Sequence, residues 1–171
     1  MIKEYDFDKL VNDEKLLDDK IVDFVNKGIL KQQKVDLEEI KGHFLKAENN
    51  LRFVSENLRL GFLDWSITGC YYACYHAAMS LILTKNYSSK NHMATLCILI
   101  KEFYQKELNK DDLKILSEFM DYQDLLFYVE SKNKREDATY STNTKFDKKE
   151  VEQLRIKAAL FVTKAKSILN I

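Results

Sequence analysis

The chain has 171 residues with 27 basic and 27 acidic side chains, so it can bury one sizeable core, and no net charge draws it to nucleic acid or to a membrane surface. Proline is absent and only four glycines occur, which argues against a loop-rich or turn-rich fold and for long helices with few connections. Three cysteines, Cys70, Cys74 and Cys97, form neither a disulfide framework nor a metal-ligand set; they point to a reducing, cytoplasmic setting without a bound metal or cofactor.

In chain order, residues 1–12 (MIKEYDFDKLVN) form a mixed arm, charged throughout and unlike a signal peptide, with Tyr5, Phe7 and Leu10 available to fill a groove. Residues 13–27 predict a short helix whose inner face is Leu17, Ile21, Phe24 and Val25. Gly28 suits its C-terminal stop, and Ile29 to Val35 read as a connector. Asp36 opens a second helix, with Glu38 and Glu39 in the first turn, where the helix dipole favours acids. Its seam is Ile40, Phe44, Ala47, Leu51, Val54 and Leu58, at spacings of three and four. Gly61 ends it. Only Phe62 and Leu63 precede the next helix, so the two should pack as an antiparallel hairpin.

Residues 64–85 (DWSITGCYYACYHAAMSLILTK) are the centre of the chain. No Lys, Arg, Glu or Asp falls between Asp64 and Lys85, which predicts a helix surrounded by other elements, with Asp64 at its N-terminal end. The length would suit a membrane span, but Ser66, Thr68, Tyr71, Tyr72, Tyr75 and His76 are poor lipid-facing residues, and the remaining helices are amphipathic. Ser88 or Ser89 can cap a fourth helix with Leu96, Ile100 and Phe103 inward. Asn109 can cap a fifth, with Leu113, Leu116, Met120 and Leu126 or Phe127 inward. Residues 131–146 are polar and without period, the longest candidate loop. Asp147 with Glu150 makes a capping box for the last helix, whose seam is Val151, Leu154, Ala158, Phe161, Ala165 and Ile168. The sum is an all-α, up-down helical bundle: residues 1–35 as an arm with a short helix, and residues 36–171 as four to five main helices.

No phosphate-binding glycine loop, zinc-protease pattern or serine-nucleophile elbow occurs. His43 reads as a boundary residue and His76 as a core imidazole bonded to a neighbour. His92 stands at a helix start, either solvated or near free N–H groups where a phosphate could dock. Lys132, Lys134 and Arg135 are either a solvated loop or phosphate ligands. Tyr71, Tyr72 and Tyr75 read as core filling whose hydroxyls need partners.

Three stretches in register resemble one family. Tyr71, Tyr72, Ala73, Tyr75, His76, Ala77 and Ala78 are similar to the second-helix pattern of HEPN domains (higher eukaryotes and prokaryotes nucleotide-binding). Lys90 and His92 resemble the family's lysine–histidine segment at the start of the following helix. Arg135, Ala138 and Tyr140 resemble its arginine-to-tyrosine stretch before the last helix, with Thr139 in place of an acid. The resemblance runs from about residue 38 to the C-terminus and looks closest to the small standalone prokaryotic members.

It implies a helical bundle, usually a homodimer, with a polar site near the arginine-bearing loop. Many HEPN proteins are metal-independent ribonucleases, acting as toxins or defence effectors beside a nucleotidyltransferase-like partner, through an arginine followed four to six residues later by a histidine. Here Tyr140 stands at that place, and no histidine follows His92. A phenol with a pKa near ~10 is a poor proton carrier at neutral pH. The expectation is therefore a nucleotide- or partner-binding module rather than an enzyme, with Arg135, Lys134, Tyr140, His92 and Lys90 binding phosphate and Tyr71, Tyr72, Tyr75 and His76 as the core-helix motif. Two alternatives stand beside it: a ribonuclease toxin using His92 or His76, acting on RNA, and a structural antitoxin-type subunit.

Overall fold

The computed structural model describes residues 4–119 and 146–171, with side chains from Phe7 onward in the first segment. Its elements are α1 (Glu4–Asn12), α2 (Glu14–Asn26), β1 (Leu30–Gln32), α3 (Leu37–Leu60), α4 (Leu63–Leu83), β2 (Tyr87–Ser89) and α5 (His92–Phe103). A sixth helix, α6, is described over residues 110–119, and α7 spans Lys148–Leu169. The fold is an all-α bundle with one small two-stranded ribbon.

The hairpin of α3 and α4 carries the architecture. Gly61 takes φ 84 at the end of α3, a left-handed conformation that glycine adopts without strain. Gly61 N–H donates to Leu58 O (3.2 Å) and Phe62 N–H to Asn57 O (2.9 Å), which closes the helix and turns the chain back. The contacts that follow run in opposite directions along the two helices. Gly69 faces Val54 and Phe53, and Ser80 Oγ donates to Ile40 O at 3.1 Å. At Gly69 the side chains of α3 pack so closely on the α4 backbone that an added Cβ would lie 2.7 Å from Val54 Cγ2. Helix α7 packs along both members of the hairpin. Its buried residues are Val151, Leu154, Ala158, Phe161, Val162 and Ala165, the expected seam plus Val162; Ile168 is partly buried against it. The predicted seam of α3 is likewise buried except Leu51, which is half-buried.

The arm departs from expectation. Residues 4–12 are helical, and Phe7 and Leu10 are buried in the common core with Leu17, Ile21 and Leu30. Val25, expected inward, is exposed. The connector after α2 contains β1, which pairs antiparallel with β2 in the register Leu30↔Ser89, Lys31↔Ser88 and Gln32↔Tyr87. Three-residue strands are too short to show a period, and their pairing spans more than fifty residues of chain, so local pattern cannot reveal them. The arm packs against α5. Two exposed ion pairs tie it further, Asp18 with Lys101 (2.6 Å) and Asp8 with Lys110 (2.8 Å).

One cap also differs. Ser88 and Ser89 lie in β2, and the cap of α5 is Asn91, whose side chain accepts from Ala94 N–H at 3.0 Å. Helix α4 begins at Leu63 after Phe62, with no side-chain cap, and Asp64 sits in its first turn. The predicted caps Asp36, Asn109 and Asp147 each accept from backbone N–H groups of the turn they open. Among the described residues, no helix is long and apolar enough to cross a membrane.

Candidate functional site

Helix α4 was expected to be enclosed. Its C-terminal half is, from Ala77 to Leu83, but Trp65 and Tyr72 are exposed and Tyr75 and His76 half-buried. Spacing explains the pattern. Residues four apart share a helix face, so Tyr71 with Tyr75 and Tyr72 with His76 form two adjacent rows on the side left open by α3 and α5. In the first row the Tyr71 and Tyr75 rings lie nearly parallel with centres 6.2 Å apart. In the second, Tyr72 and His76 do the same at 6.3 Å.

The two flanks of this strip each bring a histidine. On one side α5 begins with His92. Ser89 Oγ accepts from Asn91 N–H (3.0 Å) and donates to Asn91 O (2.9 Å), so the chain enters the helix in a fixed direction. The hydroxyl of buried Tyr71 lies 2.5 Å from His92 Nε2 and 2.9 Å from Nδ1. The Tyr75 ring meets His92 edge-on at 5.0 Å, and its hydroxyl donates to Ser89 O at 3.2 Å. On the other side α3 brings His43, whose Nδ1 lies 2.9 Å from His76 Nδ1. One of these two nitrogens must carry a proton and the other accept it. All three histidines of the chain therefore gather on one face, linked through Tyr75, whose ring centre is 5.6 Å from that of His76.

Electrostatics keeps the pair on the α3 side neutral. Burial, then the neighbouring His43 ring and the Lys46 ammonium, lower His76 to about 4. Burial and Lys46 lower His43 as well, against a smaller opposing pull from Glu39. Burial, with Tyr72 adding to it, raises Tyr75, so its phenol keeps its proton at neutral pH. The thiols play no part here: burial pushes Cys70 and Cys97 up to about 12 and Cys74 upward too. The face thus offers aromatic planes, neutral imidazoles and phenolic hydroxyls. Among the described residues, no group of three or more His, Cys, Asp or Glu could hold a metal ion.

Of the residues singled out in the sequence, Tyr71, Tyr72, Tyr75, His76 and His92 come together here. Lys90 is exposed two residues before His92. Lys134, Arg135 and Tyr140 lie outside the described residues, as do residues 131–145, expected to form a loop, and Met120, Leu126 and Phe127, expected inward. Sequence reasoning missed the His43–His76 contact, which is set by the register of α3 against α4. It also missed Asn91, the cap that sets the position of His92, and named Ser89 as a cap where it instead braces Asn91.

The HEPN domain family model matches residues 40–168, and the chain belongs to the HEPN family. A UPF0332 protein of Archaeoglobus fulgidus is 25% identical over 134 residues, which cover 78% of this chain and 98% of that protein. The match to the family begins within α3, so α1, α2 and β1 precede it.

Proposed function

We propose that this HEPN protein is a nucleotide- or partner-binding module without nuclease activity, and that the open face of α4 is its binding surface. The observation that carries this reading is the junction of Tyr71, Tyr75 and His92 at the start of α5, beside the exposed Tyr72 ring. Aromatic planes stack on nucleobases, each worth about 1–3 kcal/mol in single-strand binders. His92 and Lys90 supply donors at the same end, and Arg135, Lys134 and Tyr140 are assigned to the phosphate. Tyr140 in place of the family's second catalytic residue is what argues against cleavage. Trp65 and Phe62, both exposed near the hairpin turn, favour a protein neighbour on the same side. That neighbour is a second copy of the chain or a nucleotidyltransferase-like protein, in a cytoplasmic toxin–antitoxin or defence pair.

The reading is tested by equilibrium binding of a nucleotide panel and a short single-stranded RNA to wild type and to the Tyr72→Ala, His92→Ala and Arg135→Ala variants. Binding that weakens at least about tenfold in each variant supports it. Binding that all three variants retain unchanged removes this face from consideration.

A second reading is a metal-independent ribonuclease of the same family, and the gathering of all three histidines on one face favours it. His76 is neutral at pH 7 but, lowered to about 4, is a weak base there, which leaves proton transfer in this reading to His92. Cleavage of RNA without metal that is lost in His92→Ala or His76→Ala would establish it.

A further inference from the structure

We propose that the cleft between the N-terminal arm and the body of the bundle binds a phosphate-bearing ligand. The cleft lies at the end of the β1–β2 ribbon and has a volume of about 470 Å³. Gln32, Gln33 and Lys34 line it from the arm, and Lys85, Asn86 and Tyr87 from the turn after α4. The depression is shallow and open to solvent, and its volume falls within the range of about 300–1,000 Å³ usual for small-molecule sites.

The chemistry of the lining is one-sided. The lining residues are two lysines, three carboxamides and a tyrosine, each with a side chain able to donate a hydrogen bond, and no carboxylate is among them. Such a set suits an anion with several acceptor oxygens. Among the described residues neither Lys34 nor Lys85 has a carboxylate within ion-pair distance. The Lys85 ammonium instead lies 5.0 Å from the centre of the Phe103 ring, a contact that uses none of its hydrogen-bond donors. The walls are held by backbone. Gln33 N–H donates to Asn86 O at 2.9 Å, Gln32 pairs with Tyr87 across the ribbon, and Asn86 turns the chain sharply at φ 66. Gln33 Nε2 donates to Glu39 Oε2 at 2.7 Å, which orients its carboxamide from outside the cleft.

Half of the lining precedes the family match, so the site belongs to this chain's arm as much as to the bundle. None of its residues belongs to the aromatic face of α4. The ligand's phosphoryl group can come from free phosphate or from a nucleotide, and the test separates the two.

The full chain is titrated with inorganic phosphate and with adenosine monophosphate by calorimetry at low ionic strength. Wild type is expected to bind at least one probe. Lys34→Gln, at an exposed position that takes no part in the core, and Lys85→Gln are each expected to weaken binding about tenfold or more. Lys31→Gln, on β1 but outside the lining, leaves it unchanged. Tighter binding of the monophosphate assigns a nucleotide; equal binding assigns the phosphoryl group alone, and either supports the proposal. No binding of either probe up to about 10 mM overturns it. So does an equal loss in Lys31→Gln, which would show diffuse surface charge, or full retention of binding in both Lys34→Gln and Lys85→Gln, which would place the phosphate elsewhere. Melting curves of the variants show that each is folded before its binding is read.

Discussion

Helices α4 and α5 are the two apolar helices among the described residues, yet one is open and the other is sealed. From Ala94 to Ile100 every residue of α5 is buried, because α4 lies on one side of it and the arm on the other. Helix α4 is enclosed by α3, α5 and α7 along its C-terminal half only, and keeps Trp65, Tyr72, Tyr75 and His76 at the surface. The difference teaches that an unbroken apolar run does not say which helix is core. What separates them is the chemistry of the run. The α5 residues are mostly aliphatic with no ring between Met93 and Lys101, whereas α4 carries aromatics and an imidazole that pair with one another when water reaches them.

The strongest way to break that contrast is to remove residues 1–35. Five buried side chains, Phe7, Leu10, Leu17, Ile21 and Leu30, leave with them. At about 1.5–3 kcal/mol each, the lost burial is on the order of 10 kcal/mol, comparable to the whole stability of a domain. The truncated chain is expected to lose cooperative unfolding by circular dichroism. A melting temperature equal to that of the full chain would show that the arm does not seal α5.

Next in size is the approach of α3 to α4. Gly69→Ala places a methyl 2.7 Å from Val54 Cγ2 and 3.0 Å from Phe53 Cδ1, and overpacking of this kind costs about 1–3 kcal/mol. Gly42→Ala on α3 meets nothing within 4 Å and should stabilise by about 0.5–1 kcal/mol through helix propensity. Denaturant midpoints that move in the same direction for the two would contradict the close contact.

The open face also has its own pH dependence. His43 and His76 have folded-state pKa values below the ordinary 6.5, so below about that pH the unfolded chain takes up protons that the folded pair refuses. Stability is then lost as pH falls from about 6.5 toward the folded value of about 4 for His76, and is fully present above that window. The melting temperature of wild type should fall more steeply across this range than that of the His43→Ala/His76→Ala variant. Parallel profiles would mean that the pair does not resist protonation. At the small end, Tyr72→Ala should change stability by no more than about 0.5 kcal/mol while it weakens ligand binding. A large loss of stability there would make Tyr72 a core residue after all.

Much of the bundle was legible in the sequence because its causes are local. The seams of α3 and α7, the stop at Gly61 and the caps Asp36 and Asp147 follow from spacing and from single side chains next to helix ends. The hairpin followed from a two-residue connection. What local pattern did not show depends on partners far away in the chain: the β1–β2 ribbon, the helix over residues 4–12, and the inversion at Val25. The candidate site divides in the same way. Tyr71, Tyr75 and His76 stood out by residue type at helical spacing. The proton-sharing contact of His43 with His76 depends on the register of two helices, and the position of His92 depends on a serine and an asparagine in the turn before it.

The most direct measurement is cleavage of a single-stranded RNA by carefully purified protein without added metal, wild type beside His92→Ala and Arg135→Ala. The binding-module reading predicts no cleavage by wild type above the level of the variants. Cleavage by wild type that disappears in both variants would contradict it, and would make the histidine-bearing face of α4 a ribonuclease centre despite Tyr140.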